Sequence, residues 1–168
     1  AERCQERVGR ERVAQLGIRN LETRPRLVAA RIPPDVFAGN SLNVWLPRAS
    51  VSTALLTGLL NSALYDWRFR LTSGNNNINL REVEGLPLPA RLAPAHVTAI
   101  EEQVEACARA ARAGEDLAPA RERLDAAVCN AFGLPERFRR HLLASAAATV
   151  TTGGQPPAAC RALRGAGR

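Results

Sequence analysis

The chain has 168 residues, a length suited to one domain or one domain with a helical appendage. Apolar residues make up 46%, which excludes a wholly disordered chain, and no apolar run reaches the roughly 18–20 residues of a membrane-crossing helix. The net charge is +7, and all 23 basic residues are Arg.

In chain order, residues 12–19 and 26–32 are short apolar-rich runs joined by a polar connection through Pro25, which predicts two strands and a loop. Pro33-Pro34-Asp35 breaks the pattern, because neither Pro can donate to a ladder. Val36-Phe37 and then Asn43-Val44-Trp45-Leu46 read as a further strand, entered through a turn at Ala38-Gly39-Asn40-Ser41. Over residues 50–71 the period changes. Leu55, Leu56, Leu59, Leu60, Ala63, Leu64, Trp67 and Leu71 describe one face of one helix, with Ser50 or Ser52 as its N-cap. Ser73-Gly74 ends it, and Asn75-Asn76-Asn77 is loop. Ile78 to Leu88 reads as extended, closed by Pro87 and Pro89.

The remainder predicts helices over 94–113, 117–132 and 135–146. Pro94 suits a first helical position, Gly114 a stop and Asp116 a cap. The Glu101-Glu102-Glu105 group reads as a solvated face paired with Arg109 at i, i+4. From about Thr149 the chain loses any apolar pattern and is expected to be a disordered tail.

The charge excess lies at the ends. Residues 1–31 carry +4 and residues 146–168 carry +3, while the middle is balanced. Net charge alone is therefore a weak pointer to nucleic acid. Cys4, Cys107, Cys129 and Cys160 form no C-x-x-C pair, and only His96 and His141 could join them, so zinc-ligand spacing is missing. Cys107 and Cys129 fall on apolar helix faces and read as buried free thiols. The charged start, AERCQERVGR, does not resemble a secretion signal, which makes a reducing cytoplasm the expected location. The chain neither begins with Met nor contains one, so a segment of a longer protein, or a protein lacking its true start, is expected. No phosphate-binding loop, dinucleotide fingerprint or nucleophile–His–carboxylate pattern is present.

The segment from Leu59 to Pro89 stands out. A helix presents Asp66, Arg68 and Arg70 near its end, and a loop with Ser73, Gly74, Asn75, Asn76, Asn77 and Asn79 follows. Asn can make a bidentate contact with adenine, and Arg with guanine. The segment resembles the C-terminal specificity region of restriction–modification adenine methyltransferases, the TaqI-like target-recognition group. The likeness rests on Leu59-Leu60-Asn61-Ser62, Trp67, Phe69-Arg70, Asn75 to Asn79, and Leu86-Pro87-Leu88-Pro89. Upstream, residues 32–41 resemble that group's strand and turn. Downstream, residues 124–134 resemble its closing helix. The family's methyl-transfer motif, (N/D)-P-P-(Y/F), has no counterpart, since Ile32-Pro33-Pro34-Asp35 has the wrong flanks.

The expected fold is α+β. A small, mostly antiparallel sheet from residues 8–46 and 78–88 packs on helix 50–72, and a helical extension follows. Three regions are expected: a target-recognition domain over 1–92, the extension over 93–147 and the tail over 148–168. The resemblance implies sequence-specific recognition of double-stranded DNA, with no cofactor in this chain. S-adenosylmethionine would belong to a catalytic methyltransferase domain, on the same or another chain. The expected DNA contacts are Arg68, Arg70, Ser73, Asn75, Asn76, Asn77 and Asn79, with Asn40, Ser41 and Asn43 as a second loop. Trp67 and Phe69 are expected to pack rather than stack on bases. A helical protein-interaction module, or the specificity subunit of a multi-subunit restriction enzyme, is the alternative.

Overall fold

The computed structural model describes residues 10–19, 25–48, 50–89 and 91–147. The termini, including Cys4, Cys160 and the expected tail, lie outside the described residues. Within them the chain is α+β, with a three-stranded antiparallel sheet and six helices. None of these helices is long and apolar enough to cross a membrane.

Strand β1 (Arg12–Leu16) lies between β2 (Ala29–Ile32) and β3 (Leu42–Trp45) and is antiparallel to both. The two edge strands therefore run parallel to each other, and residues 33–41 must cross over β1 to join them. Arg12 holds that crossover. Its Nη2 donates to the carbonyls of Val36 at 2.6 Å and Pro34 at 3.2 Å. Val13, one position further along, points into the helical core, as the two-residue period of a strand requires.

Helices α1 (Thr53–Asn61) and α2 (Ala63–Arg70) replace the single helix expected over 50–72. Ser62 causes the division. Its backbone is extended, at φ −75° and ψ 148°, and its hydroxyl accepts the Tyr65 N–H at 3.3 Å. One Ser thus ends α1 and caps α2, while Ser52 caps α1 as anticipated. The break also changes the buried face. Leu55, Leu59 and Leu60 are buried, but in α2 the buried residues are Tyr65, Asp66 and Phe69, not Ala63, Leu64, Trp67 and Leu71.

The extended segment expected at 78–88 contains instead a short helix, α3 (Leu80–Glu84). Asn79 is its N-cap residue, and the Glu82 carboxylate accepts the Asn79 N–H at 3.1 Å. This start for a helix overrides the extended reading of the segment. Just before it, Asn77 makes an isolated antiparallel bridge to Ile18.

Helices α4 (Pro94–Ala113), α5 (Ala118–Ala131) and α6 (Glu136–Ala147) follow close to their expected positions. Gly114 ends α4 in the left-handed region at φ 68°. Glu105 bonds Arg31 at 2.6 Å across to β2, rather than Arg109 on its own helix. A single apolar core joins Val13 and Leu27 to α1, α2, and Ile100, Val104, Leu124 and Val128 of α4 and α5. Gly58 permits this close packing: a Cβ there would lie 2.6 Å from Ile100 Cγ2 and 2.9 Å from Val104 Cγ2. Asn61 ties α1 to edge strand β2, accepting from Ala29 N–H at 3.0 Å and donating to Ala29 O at 2.8 Å.

Candidate nucleic-acid interface

Three segments converge where β1 runs out. Gly17 donates its N–H to Ser41 O at 2.9 Å and accepts the Ile78 N–H on its own carbonyl at 2.7 Å. Arg19 N–H donates to Asn76 O at 3.0 Å. The Asn-rich loop and the turn before β3 therefore meet the same stretch of chain, residues 17–19. A Cβ at position 17 would lie only 3.0 Å from Ser41 O, so any other residue there would push the turn back by a few tenths of an ångström.

Side chains fix the two loops to each other. Asn43 Nδ2 donates to Gln15 Oε1 at 3.0 Å and to Ile78 O at 2.9 Å. Asn43 therefore ties β3 to the loop, with its amide N–H groups turned inward. Within the loop, Asn75 Oδ1 accepts the Asn77 N–H at 3.2 Å, a local turn made by the side chain.

From below, the loop is held by a buried charge. Arg26 is 1% exposed, its guanidinium lies 5.6 Å from the centre of the Phe69 ring, and its Nη2 donates to Asn75 O at 2.6 Å. Burial first, then neighbouring Arg70, lower the pKa of Arg26 below its ordinary value, against the pull of Asp66 and Glu82. Asp66 is 4% exposed; its Oδ1 accepts the N–H groups of Arg26 and Leu27, and its Oδ2 meets Arg70 Nε at 2.7 Å.

The expected contact residues divide accordingly. Asn75, Asn76, Asn77, Asn79, Asn40 and Ser41 are exposed, and Ser41 and Asn76 bring the two groups against the same stretch, residues 17–19. Arg68 is half-buried on α2, near the loop's entry. Arg70 is bound to Asp66, Ser73 is buried at 6% exposure, and Asn43 holds the scaffold. Trp67 and Phe69 do pack: Trp67 meets Phe138 edge-on at 5.5 Å, and Phe69 is fully buried.

Sequence reasoning missed Arg26 and the inward role of Asp66. The available signal was phase: with a break at Ser62, Tyr65, Asp66 and Phe69 fall on one helical face. The two described thiols, Cys107 and Cys129, are free, and burial raises both above the ordinary thiol pKa. Such thiols remain protonated and are poor nucleophiles.

Comparison of the chain with protein-family models, with curated proteins and with solved structures returned no match.

Proposed function

We propose that this chain is the DNA-reading module of a site-specific N6-adenine methyltransferase from a restriction–modification system. The observation that carries this reading is the exposed amide cluster at Asn75, Asn76 and Asn77, displayed on a loop that Arg26 and Asn43 hold in place. Amides offer a donor and an acceptor together, which is the pair an adenine edge presents in complement. A loop already held by its own scaffold loses less conformational freedom on binding. Methylating adenine requires flipping the base into a catalytic pocket, so a separate module can grip the duplex and read its neighbours.

On this reading S-adenosylmethionine and the methyl-transfer step belong to a catalytic domain on the same or another chain. The helical interaction module has less support, because α4 and α5 commit Ile100, Val104, Leu124 and Val128 to the chain's own core.

The test is selection from a pool of randomised duplexes. The chain should enrich a defined site, and the Asn75→Ala, Asn76→Ala, Asn77→Ala triple variant should lose roughly tenfold to a hundredfold of that preference per lost bidentate contact. Circular dichroism should show both chains equally folded. Failure of the parent chain to enrich any site, or full preference in the triple variant, overturns the reading. In calorimetry the chain alone should give no heat with S-adenosylmethionine; a micromolar Kd would contradict the separation of roles.

A further inference from the structure

The charge is not spread evenly over the C-terminal helices. Helix α4 carries two Arg against three acids, α5 two against two, and α6 three Arg against one acid. Within α6, Arg139 meets the lone acid, Glu136, at 2.9 Å. Arg137, Arg140 and His141 are exposed. Their spacing of three and four places them on one face of the helix.

The other face of α6 is anchored. Leu142 is 1% exposed, and the Phe138 ring packs edge-on against Trp67 at an interplanar angle of 87°. That contact fixes α6 beside α2. Arg68 follows Trp67 directly and has no acidic partner among the described residues, whereas Arg70 is taken by Asp66. Helix α2 then leads through residues 71–74 into the Asn loop. Arg68, next to the Trp67–Phe138 contact, therefore sits on the helix against which α6 packs and which leads into the proposed reading loop.

We infer that the outer face of α6, together with Arg68, is a rail for duplex phosphates that sets the position of the Asn loop on DNA; the inference rests on the DNA-reading proposal above. Guanidinium groups suit phosphate oxygens through paired donors. Such contacts add affinity without regard to sequence and release condensed counterions, so they are read in the salt dependence.

The experiment measures binding of the full chain to its enriched duplex and to a scrambled duplex across a salt series. Arg137→Ala with Arg140→Ala should weaken both duplexes alike and reduce the slope of log K against log salt by roughly two, with the site preference unchanged. Arg109→Ala with Arg112→Ala is the control, because these exposed Arg have the same spacing and charge but lie on α4. An unchanged slope in the α6 pair, or an equal fall in the control pair, overturns the rail and leaves the reading loop standing. A reduced slope without any site preference in the parent chain upholds the rail and removes the reading loop. Absence of binding to either duplex removes both.

Discussion

Asp66 and Arg26 meet through the backbone rather than as a side-chain pair: Asp66 Oδ1 accepts the Arg26 N–H at 2.6 Å. The same carboxylate binds the Leu27 N–H at 2.9 Å and Arg70 Nε at 2.7 Å. The backbone bond presents the Arg26 side chain to Phe69 and Asn75. One acid on α2 therefore sets the geometry beneath the Asn loop, although neither it nor Arg26 is exposed.

Replacing that acid should cost far more than replacing an exposed one. Asp66→Asn keeps an acceptor for the two N–H groups but removes the charge that pairs with Arg70 and acts on Arg26. Thermal denaturation should show a drop of several degrees, against almost none for Glu136→Gln, whose ion pair with Arg139 is open to solvent. Equal shifts would mean that the buried network has no special weight. Arg26→Lys retains charge but not the planar fork that reaches Asn75, so site preference should fall further than overall DNA affinity.

Gly58→Ala should destabilise the chain, although Ala is the better helix former by roughly 1 kcal/mol. The new methyl meets Ile100 and Val104, at 0% and 6% exposure, and buried branched side chains have little room to yield. Overpacking of this kind costs about 1–3 kcal/mol beyond ordinary contact. A companion Val104→Ala change removes one of the clashing methyls, so the double variant should be less destabilised than the sum of the single changes. An unchanged or raised Tm for Gly58→Ala would show that the helices can separate at no cost.

Asp125 on α5 caps α2 by accepting the Ala63 N–H at 2.6 Å. Burial raises its carboxyl above the ordinary aspartate value of 3.8, although the Ala63 N–H pulls the other way. The native state therefore keeps a proton that the unfolded chain releases, and this group's contribution falls as pH rises through that window. Asp125→Asn retains an acceptor oxygen and cannot ionise. Denaturant titrations should show the variant gaining on the parent as pH is raised from about 3 to 7. Asp125→Ala, without a cap, should be less stable than Asp125→Asn by about 1 kcal/mol at every pH. A parent chain that gains on the Asn variant with rising pH would reverse the sign of the argument.

Asn61 covers outward backbone groups of edge strand β2. Asn61→Ala should cost about 1–3 kcal/mol, because the Ala29 groups lose both partners while remaining partly buried. Asn61→Asp should be worse, since a carboxylate cannot donate to the Ala29 carbonyl. Light scattering on warming should reveal association of the freed edge in either variant. Equal stability of all three chains would show that water satisfies this edge.

Much of the framework follows from sequence by itself. Pro94, Gly114 and the apolar spacing of Ile100 and Val104 delimit α4, because caps, breakers and the 3.6-residue period act within a few turns. The loop at Asn75 to Asn77 was legible for the same reason: adjacent Asn side chains compete with regular backbone hydrogen bonds nearby. The short helix at Leu80–Glu84 departs from the extended reading of 78–88: Leu80 and Val83 stand three apart, a helical spacing, and Asn79 and Glu82 supply the start.

Tertiary structure alone decided what lies beneath that loop. Arg26 and Asn75 are 49 residues apart, as the bond between them records, and no local pattern relates them. The same holds for Asp125 at Ala63, a separation of 62. Whether an Arg, Asp or Asn faces water or holds the scaffold depends on which distant backbone groups packing leaves without a partner. Periodicity shows which face of a helix is covered; the covering groups are set only when the sheet, α1 and α5 close around one core.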